Sequence, residues 1–271
     1  MTEPFLQSDA DGAILVIDSW QKQIPGLVAG FTTRIGGVSE PPFSSFNFGL
    51  HTKDRDKDVI RNREILSEKL DFPLNKWILG EQVHGDKIAF VSLEDRGKGT
   101  RTLDSAISGV DGLITKEEGV LCAAFFADCV PLFFLDVKRR IAGIAHAGWK
   151  GTVAGMAEQM IKAFIDAGSD IKDLSAVIGP CISGANYEVN HTVMEHIDDE
   201  LKELVSTPLG NDKYQLDLRK MNELLLMRSG LREDQIDVTA RCTYMDEEEL
   251  FSFRRDNGNT GRMLGYIGFR A

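Results

Sequence analysis

The chain has 271 residues, 42% of them hydrophobic and 27% charged, with 31 lysines and arginines against 42 aspartates and glutamates. A net charge of −11 argues against a nucleic-acid partner and against an anionic membrane surface, though a local arginine cluster still permits a small anionic substrate. A domain of this length buries roughly three quarters of the surface of its unfolded chain, so it needs no disulfide or metal staple to fold.

The opening stretch MTEPFLQSDADG is acidic ahead of its first apolar run and lacks the basic start of a secretory signal. The strand signals begin at 13–17 (AILVI) and 27–33, then cluster at 111–115, 120–126, 131–136, 141–146 and 175–179. Later ones fall at 236–240, 250–253 (LFSF) and 264–269. Helical periodicity is expected from about Asp56 to Leu70, from about 150 to Gly168, and from an Asp217 cap to Gly230. The run KDRDKD reads as a solvated approach to the first of these helices, and 94–109 reads as a polar surface loop. No repeat or linker divides the chain. Several adjacent strands leave no room for a crossover helix, so the expected class is α+β (mixed α/β), a single domain over 1–271.

The longest apolar run, GVLCAAFFADCVPLFFLD, is interrupted by Asp128 and Pro131 and is too short for a membrane span. Four cysteines without a CxxC pair suit a reducing compartment, and a cytoplasmic location is expected. Burying Asp128 without a partner would cost several kcal/mol, so Ala127-Asp128-Cys129 reads as a strand end facing a pocket. If 131–136 and 141–146 pair as a hairpin, His146 of AGIAHAGWKGT comes beside Cys129. His84 of GEQVHGDK also follows a short apolar segment and precedes a glycine. One thiolate and two imidazoles make a natural open zinc shell. The same residues also read as two hydrogen-bonded strand-end histidines and a small buried cysteine. Cys122, inside an apolar strand, reads as core, and Cys181 of IGPCISG stands at another strand end. Arg34 of TTRIGGVS, with Asn47 and His51 of FNFGLH, reads as an anion site or as a turn with a surface arginine. Arg254, Arg255 and Arg262 of FSFRRDNGNTGR read as a pocket rim or a solvated turn.

Together FTTRIGGVS, FNFGLH, GEQVHGDK, DGLIT, ADCVPLFF, AGIAHAGWKGT, IGPCISGANYEV and FSFRRDNGNTGR resemble the YfiH/YlmD-type laccase-domain family of multicopper polyphenol oxidase-like proteins. These segments run from about residue 30 to the C-terminus. The family commonly has a histidine before the arginine pair of the last segment, where this chain has Phe253, so that histidine's role does not carry over. The resemblance implies two central mixed β-sheets with helices outside, and a zinc site of His84, Cys129 and His146 that copper could also enter. It implies phosphorolysis of adenosine, inosine, guanosine and methylthioadenosine, with adenosine deamination. On that reading Arg34, Asn47, His51, Arg254 and Arg262 hold phosphate or ribose, and Asp128 is the carboxylate for proton transfer. Two alternatives stand beside it: a Cys–His hydrolase acting on a cell-wall precursor, and a copper-dependent polyphenol oxidase. Multicopper chemistry needs several histidine-rich centres, and only His51, His191 and His196 remain outside the trio.

Overall fold

Strands buried on both faces read as continuous apolar runs, and Val120–Phe126, Val130–Asp136 and Ile141–Ala147 are buried at every position. These three strands form the middle of the molecule. The computed structural model describes residues 3–8 and 10–271, so the acidic stretch before the first expected strand lies partly outside the described residues.

In chain order the elements are β1 (Phe5–Gln7), β2 (Ile14–Ile17), α1 (Asp18–Gln23), β3 (Leu27–Thr32), α2 (Asp56–Lys69), β4 (Trp77–Leu79) and β5 (Ile88–Phe90). Then come β6 (Gly112–Thr115), β7 (Val120–Phe126), β8 (Val130–Asp136), β9 (Ile141–Ala147), α3 (Trp149–Val153), α4 (Met156–Asp166) and β10 (Leu174–Ile178). The last third holds β11 (Glu188–Asn190), α5 (His191–Met194), α6 (Asp199–Val205), β12 (Ser206–Gly210), β13 (Lys213–Leu216), α7 (Leu218–Arg228), β14 (Ile236–Val238) and β15 (Met263–Phe269). One sheet runs β1-β2-β3-β15-β7-β4 and a second runs β14-β10-β8-β9-β6-β5. Both are mixed: β4 joins β7 in parallel, as β14 joins β10 and β5 joins β6, while their other pairings are antiparallel. The expected pair of mixed sheets with helices outside is the observed α+β architecture. A small third sheet, β11-β13-β12, is an addition that the sequence pattern did not reveal.

Alternation along β7 and β8 builds the layers. Cys122, Ala124 and Phe126 of β7 meet Phe133 and Leu135 of β8 between the sheets. Leu121, Ala123 and Phe125 turn the other way, toward Leu66 of α2 and Trp77. Leu132 and Phe134 face the layer of α4, α6 and α7. β7 belongs to one sheet and β8 to the other, so Ala127-Asp128-Cys129 is the short crossing between them.

Two expected elements need correction. The helix from about 150 to Gly168 is two helices, because Gly155 at φ +91° turns the chain between α3 and α4. Residues 250–253 form no strand; Leu250 and Phe251 are buried in the inter-sheet core without joining a ladder. The helix Asp56–Lys69 is as expected, and Asp217 caps α7 by accepting the Lys220 N–H at 2.8 Å. Among the described residues, no helix is long and apolar enough to cross a membrane.

Candidate metal centre and its cavity

The β8–β9 hairpin forms in the expected register, with Pro131 opposite His146, which brings His146 beside the crossing that carries Cys129. His84 arrives from the loop after β4. The donor atoms of His84, Cys129 and His146 all lie within 4.8 Å of one another, and the two imidazole rings stand 4.7 Å apart at 85°.

Asp111, just before β6, organises this corner. Its Oδ2 accepts the N–H groups of Val83 (3.0 Å) and Gly85 (2.8 Å), and its Oδ1 accepts that of His84 (3.1 Å). His84 itself sits at φ +60°, a conformation costing of order 1–3 kcal/mol for a non-glycine residue, and these three bonds hold it there. Asp111 Oδ1 also lies 2.8 Å from His146 Nδ1, and the Asp111 carbonyl accepts the His146 N–H at 2.8 Å. With Nδ1 engaged by a carboxylate, His146 presents Nε2 to the centre, the usual arrangement for a metal-ligating histidine. Nothing in the DGLIT pattern marked Asp111 as a site residue beyond a carboxylate at the head of an apolar strand.

The Cys129 crossing is clamped by its neighbour. Asp128 adopts φ +87°, and its two oxygens accept the Thr243 hydroxyl and the Arg254 N–H, each at 2.6 Å. Its carbonyl accepts the Ile182 N–H at 3.0 Å. Gly148 closes the corner. A Cβ there would lie 3.0 Å from His84 Cδ2 and 3.1 Å from Cys129 Sγ, so only glycine leaves the three donors their room. One residue turn on, a Cβ at Gly151 would come within 2.7 Å of the Gly85 carbonyl, so α3 packs directly on the His84 loop.

The charges suit a cation. Burial opposes a thiolate at Cys129, yet His146 and His84 outweigh it and bring the thiol down to about 6. Burial likewise opposes charge on Asp111, but His146 and the Gly85 and Val83 N–H groups hold its carboxyl below the ordinary range. Cys122, by contrast, is pushed far up by burial alone, which fits its place in the core. A soft thiolate and two imidazoles converging on one point, with the side toward His84 open, fit a metal that keeps a free position.

That open side faces a cavity of about 900 Å³. Its wall includes His51, Asp128, Arg254 and Arg262 of the expected site residues, together with Phe253. Arg34 and Asn47 are not brought to this wall. Arg34 donates to the carbonyls of Ser44 and Glu247, both at 3.0 Å, and its guanidinium lies 4.7 Å from the Phe251 ring. Asn47 is fully buried; its Oδ1 accepts the Arg262 N–H at 2.8 Å, and its amide reaches Thr52 and Asp54. It therefore positions Arg262 from behind. Arg255 holds Asp256 and the carbonyls of Thr243, Tyr244 and Leu250. Cys181 is buried away from the cavity, accepting from Arg219 Nε at 3.3 Å. His51, open to the cavity but ringed by protein, is lowered to about 4, by burial first and then by Arg262 and Arg63. Sequence reasoning also missed Glu81, Gln82, Asp104 and Tyr187 on the wall. Gln82 pairs its side-chain amide with both backbone groups of Phe125, at 2.7 and 3.0 Å, which no local pattern signals.

Fold and centre together define an α+β protein of two large mixed sheets with a His–Cys–His corner at a sheet-to-sheet crossing. Residues 28–270 match the multi-copper polyphenol oxidoreductase laccase family, and the chain belongs to that family. It is similar to the purine nucleoside phosphorylase YlmD of Bacillus subtilis (strain 168), 42% identical over 262 residues, covering 94% of each chain. The crystal structure of YlmD from Geobacillus stearothermophilus superposes with a TM-score of 0.93 at 39% identity over 100% of both chains. That of the Bacillus licheniformis hypothetical protein YfiH gives 0.94 at 38% identity, over 99% of this chain and 100% of the other.

Proposed function

We propose that the protein is a zinc-dependent purine nucleoside phosphorylase acting on adenosine, inosine, guanosine and methylthioadenosine, and that the same site deaminates adenosine. The observation that carries this reading is the opening of the His84–Cys129–His146 corner into a cavity with Arg254, Arg262 and His51 on its wall. The phosphorylase names of the similar proteins support it. Zinc held there would supply a Lewis acid for an oxygen of substrate or phosphate. In phosphorolysis a phosphate oxygen forms a bond to C1′ of the ribose while the bond from C1′ to the base breaks. Arg262 spends Nη1 on the carbonyls of Thr260 and Gly261, at 2.8 and 2.9 Å, and keeps other N–H donors for an anion. Arg254 is fixed by the Glu188 carbonyl at 2.7 Å and by the Tyr187 ring, a rigid second cation for the same phosphate. For deamination, Asp128, the wall carboxylate next to Cys129, serves proton transfer, its orientation set by Thr243 and Arg254. Purified protein of known metal content, incubated with adenosine with and without phosphate, tests this by product mass. Ribose 1-phosphate and adenine are expected only with phosphate, inosine in either case; neither product removes the reading.

One observation favours a second reading. Cys129, lowered to about 6 beside a His146 that Asp111 orients, has the layout of a Cys–His hydrolase. A ligated thiolate is not free to attack, so one bound zinc per chain argues for the phosphorylase and its absence from an active enzyme for the hydrolase.

A further inference from the structure

Three aromatic side chains line the cavity, and they differ in what covers them. Phe125 is 6% exposed, with the Arg63 guanidinium 5.1 Å from its centroid and the His51 ring against it at 5.5 Å. Tyr187 is half-buried beneath Arg254, whose guanidinium lies 5.0 Å from its ring. Phe253 is 52% exposed, with the Arg262 guanidinium 5.5 Å from its ring centroid. An exposed phenyl in a cavity wall is the informative exception in a molecule that buries most of its phenylalanines.

The ring is also held in place. The Phe253 carbonyl accepts the Gly258 N–H at 2.8 Å, and Gly258, at φ +82°, passes so close that a Cβ would sit 3.0 Å from the phenyl tip. The next residue's N–H is the one that Asp128 grips, which ties the ring to the crossing that carries Cys129. Arg262, the cation beside the ring, is itself fixed by Asn47. An anion on Arg262 therefore lies next to any flat group on Phe253, as phosphate and base must lie about one C1′ in phosphorolysis.

We infer that Phe253 is the stacking platform for the purine ring and that it gives the site its tolerance of different purines. The inference rests on the phosphorylase reading. Stacking reads the face that every base has and none of the hydrogen-bonding edge. Adenosine, inosine and guanosine therefore gain equally from it.

The test measures equilibrium binding of adenosine, of inosine and of phosphate alone, with steady-state phosphorolysis, on metal-quantified wild type, Phe253→Ala, Phe253→Leu and Phe253→Trp. Phe253→Ala is expected to weaken both nucleosides by a similar factor, roughly 5- to 100-fold, with phosphate affinity and metal content unchanged. Phe253→Trp should restore most of the loss and Phe253→Leu little, since leucine replaces apolar area without a π-face. The inference is overturned by nucleoside affinities within about twofold of wild type in Phe253→Ala, by a loss confined to one nucleoside, by a fall in metal content, or by full rescue with leucine. If wild type turns nucleosides over and the variants match it, only this inference fails. If wild type neither binds nor converts a nucleoside, the proposed function fails with it.

Discussion

The cysteine corner and the arginine-bearing loops use polar side chains in different ways. At the corner, His146 and Cys129 are placed by the β8–β9 register, and His84 by three backbone N–H groups on one carboxylate. Their donor atoms are left pointing at a common point. In the loops, most arginines are consumed by the backbone. Arg63, reaching the loops from α2, is fully buried and grips the carbonyls of Phe48, Gly99 and Thr100, and burial lowers it to about 9. Arg34 and Arg255 are spent likewise. Loops without a ladder must satisfy their carbonyls somehow, and a guanidinium with five donors serves several at once. An arginine near these loops is thus as readily a staple for carbonyls as a site for an anion.

Removing a ligand is the strongest way to break that contrast. His146→Ala and Cys129→Ala are expected to lose stoichiometric metal and to drop phosphorolysis by more than about a hundredfold, since even outer partners of a ligand cost up to that factor. Elemental analysis and product formation check this, and a metal-replete, fully active His146→Ala would show that the corner is not a metal site. Gly148→Ala should come next. With a Cβ at 3.0–3.1 Å from two ligands, metal affinity should fall about tenfold while the fold persists. Competition with a chelator reads this directly, and an unchanged affinity would mean that the donors have slack the geometry does not suggest.

The two arginine classes separate in a paired experiment of smaller effect. Arg262→Ala should raise the KM for phosphate by roughly ten- to a hundredfold, with some stability lost as the Thr260 and Gly261 carbonyls are released. Arg34→Ala should cost about 1 kcal/mol of stability, through the part-buried Ser44 carbonyl, and leave that KM alone. Equal effects on KM would dissolve the distinction between staple and anion site.

That distinction also explains what could be seen in the sequence. The central strands β7, β8 and β9 were legible because they are mostly apolar and buried throughout, and the hairpin between β8 and β9 placed Cys129 against His146 by register alone, whereas the three-residue edge strands β1, β4 and β5 were too short to show a pattern. His84 stood out as a histidine beside a glycine at a strand end, but its link to the other two runs through Asp111, 27 residues away. The arginines were ambiguous because residue type does not say whether a guanidinium faces a cavity or a carbonyl. LFSF was misread for a related reason: buried apolar residues with strand composition can fill a core without a ladder partner. The break at Gly155 was hidden because Val153, Met156 and Met160 keep helical spacing across it.

The smallest effect concerns His51, where the two regions meet. Burial and the nearby Arg262 and Arg63 lower it to about 4 from an ordinary 6.5. It is therefore neutral at pH 7 and adds no charge to the wall. A histidine with a depressed folded-state value contributes its full share of stability above 6.5, and that share is lost as pH falls toward 4. Protonation below that range puts a third cation beside two arginines. His51→Asn should remove this component, so denaturant unfolding of wild type and variant should diverge between pH 6.5 and 4, with wild type losing more. The KM for phosphate, corrected for the ionisation of phosphate itself, should show no step near 6.5 in wild type. Parallel stability curves, or a step at that pH, would mean that burial and the two arginines do not depress this histidine.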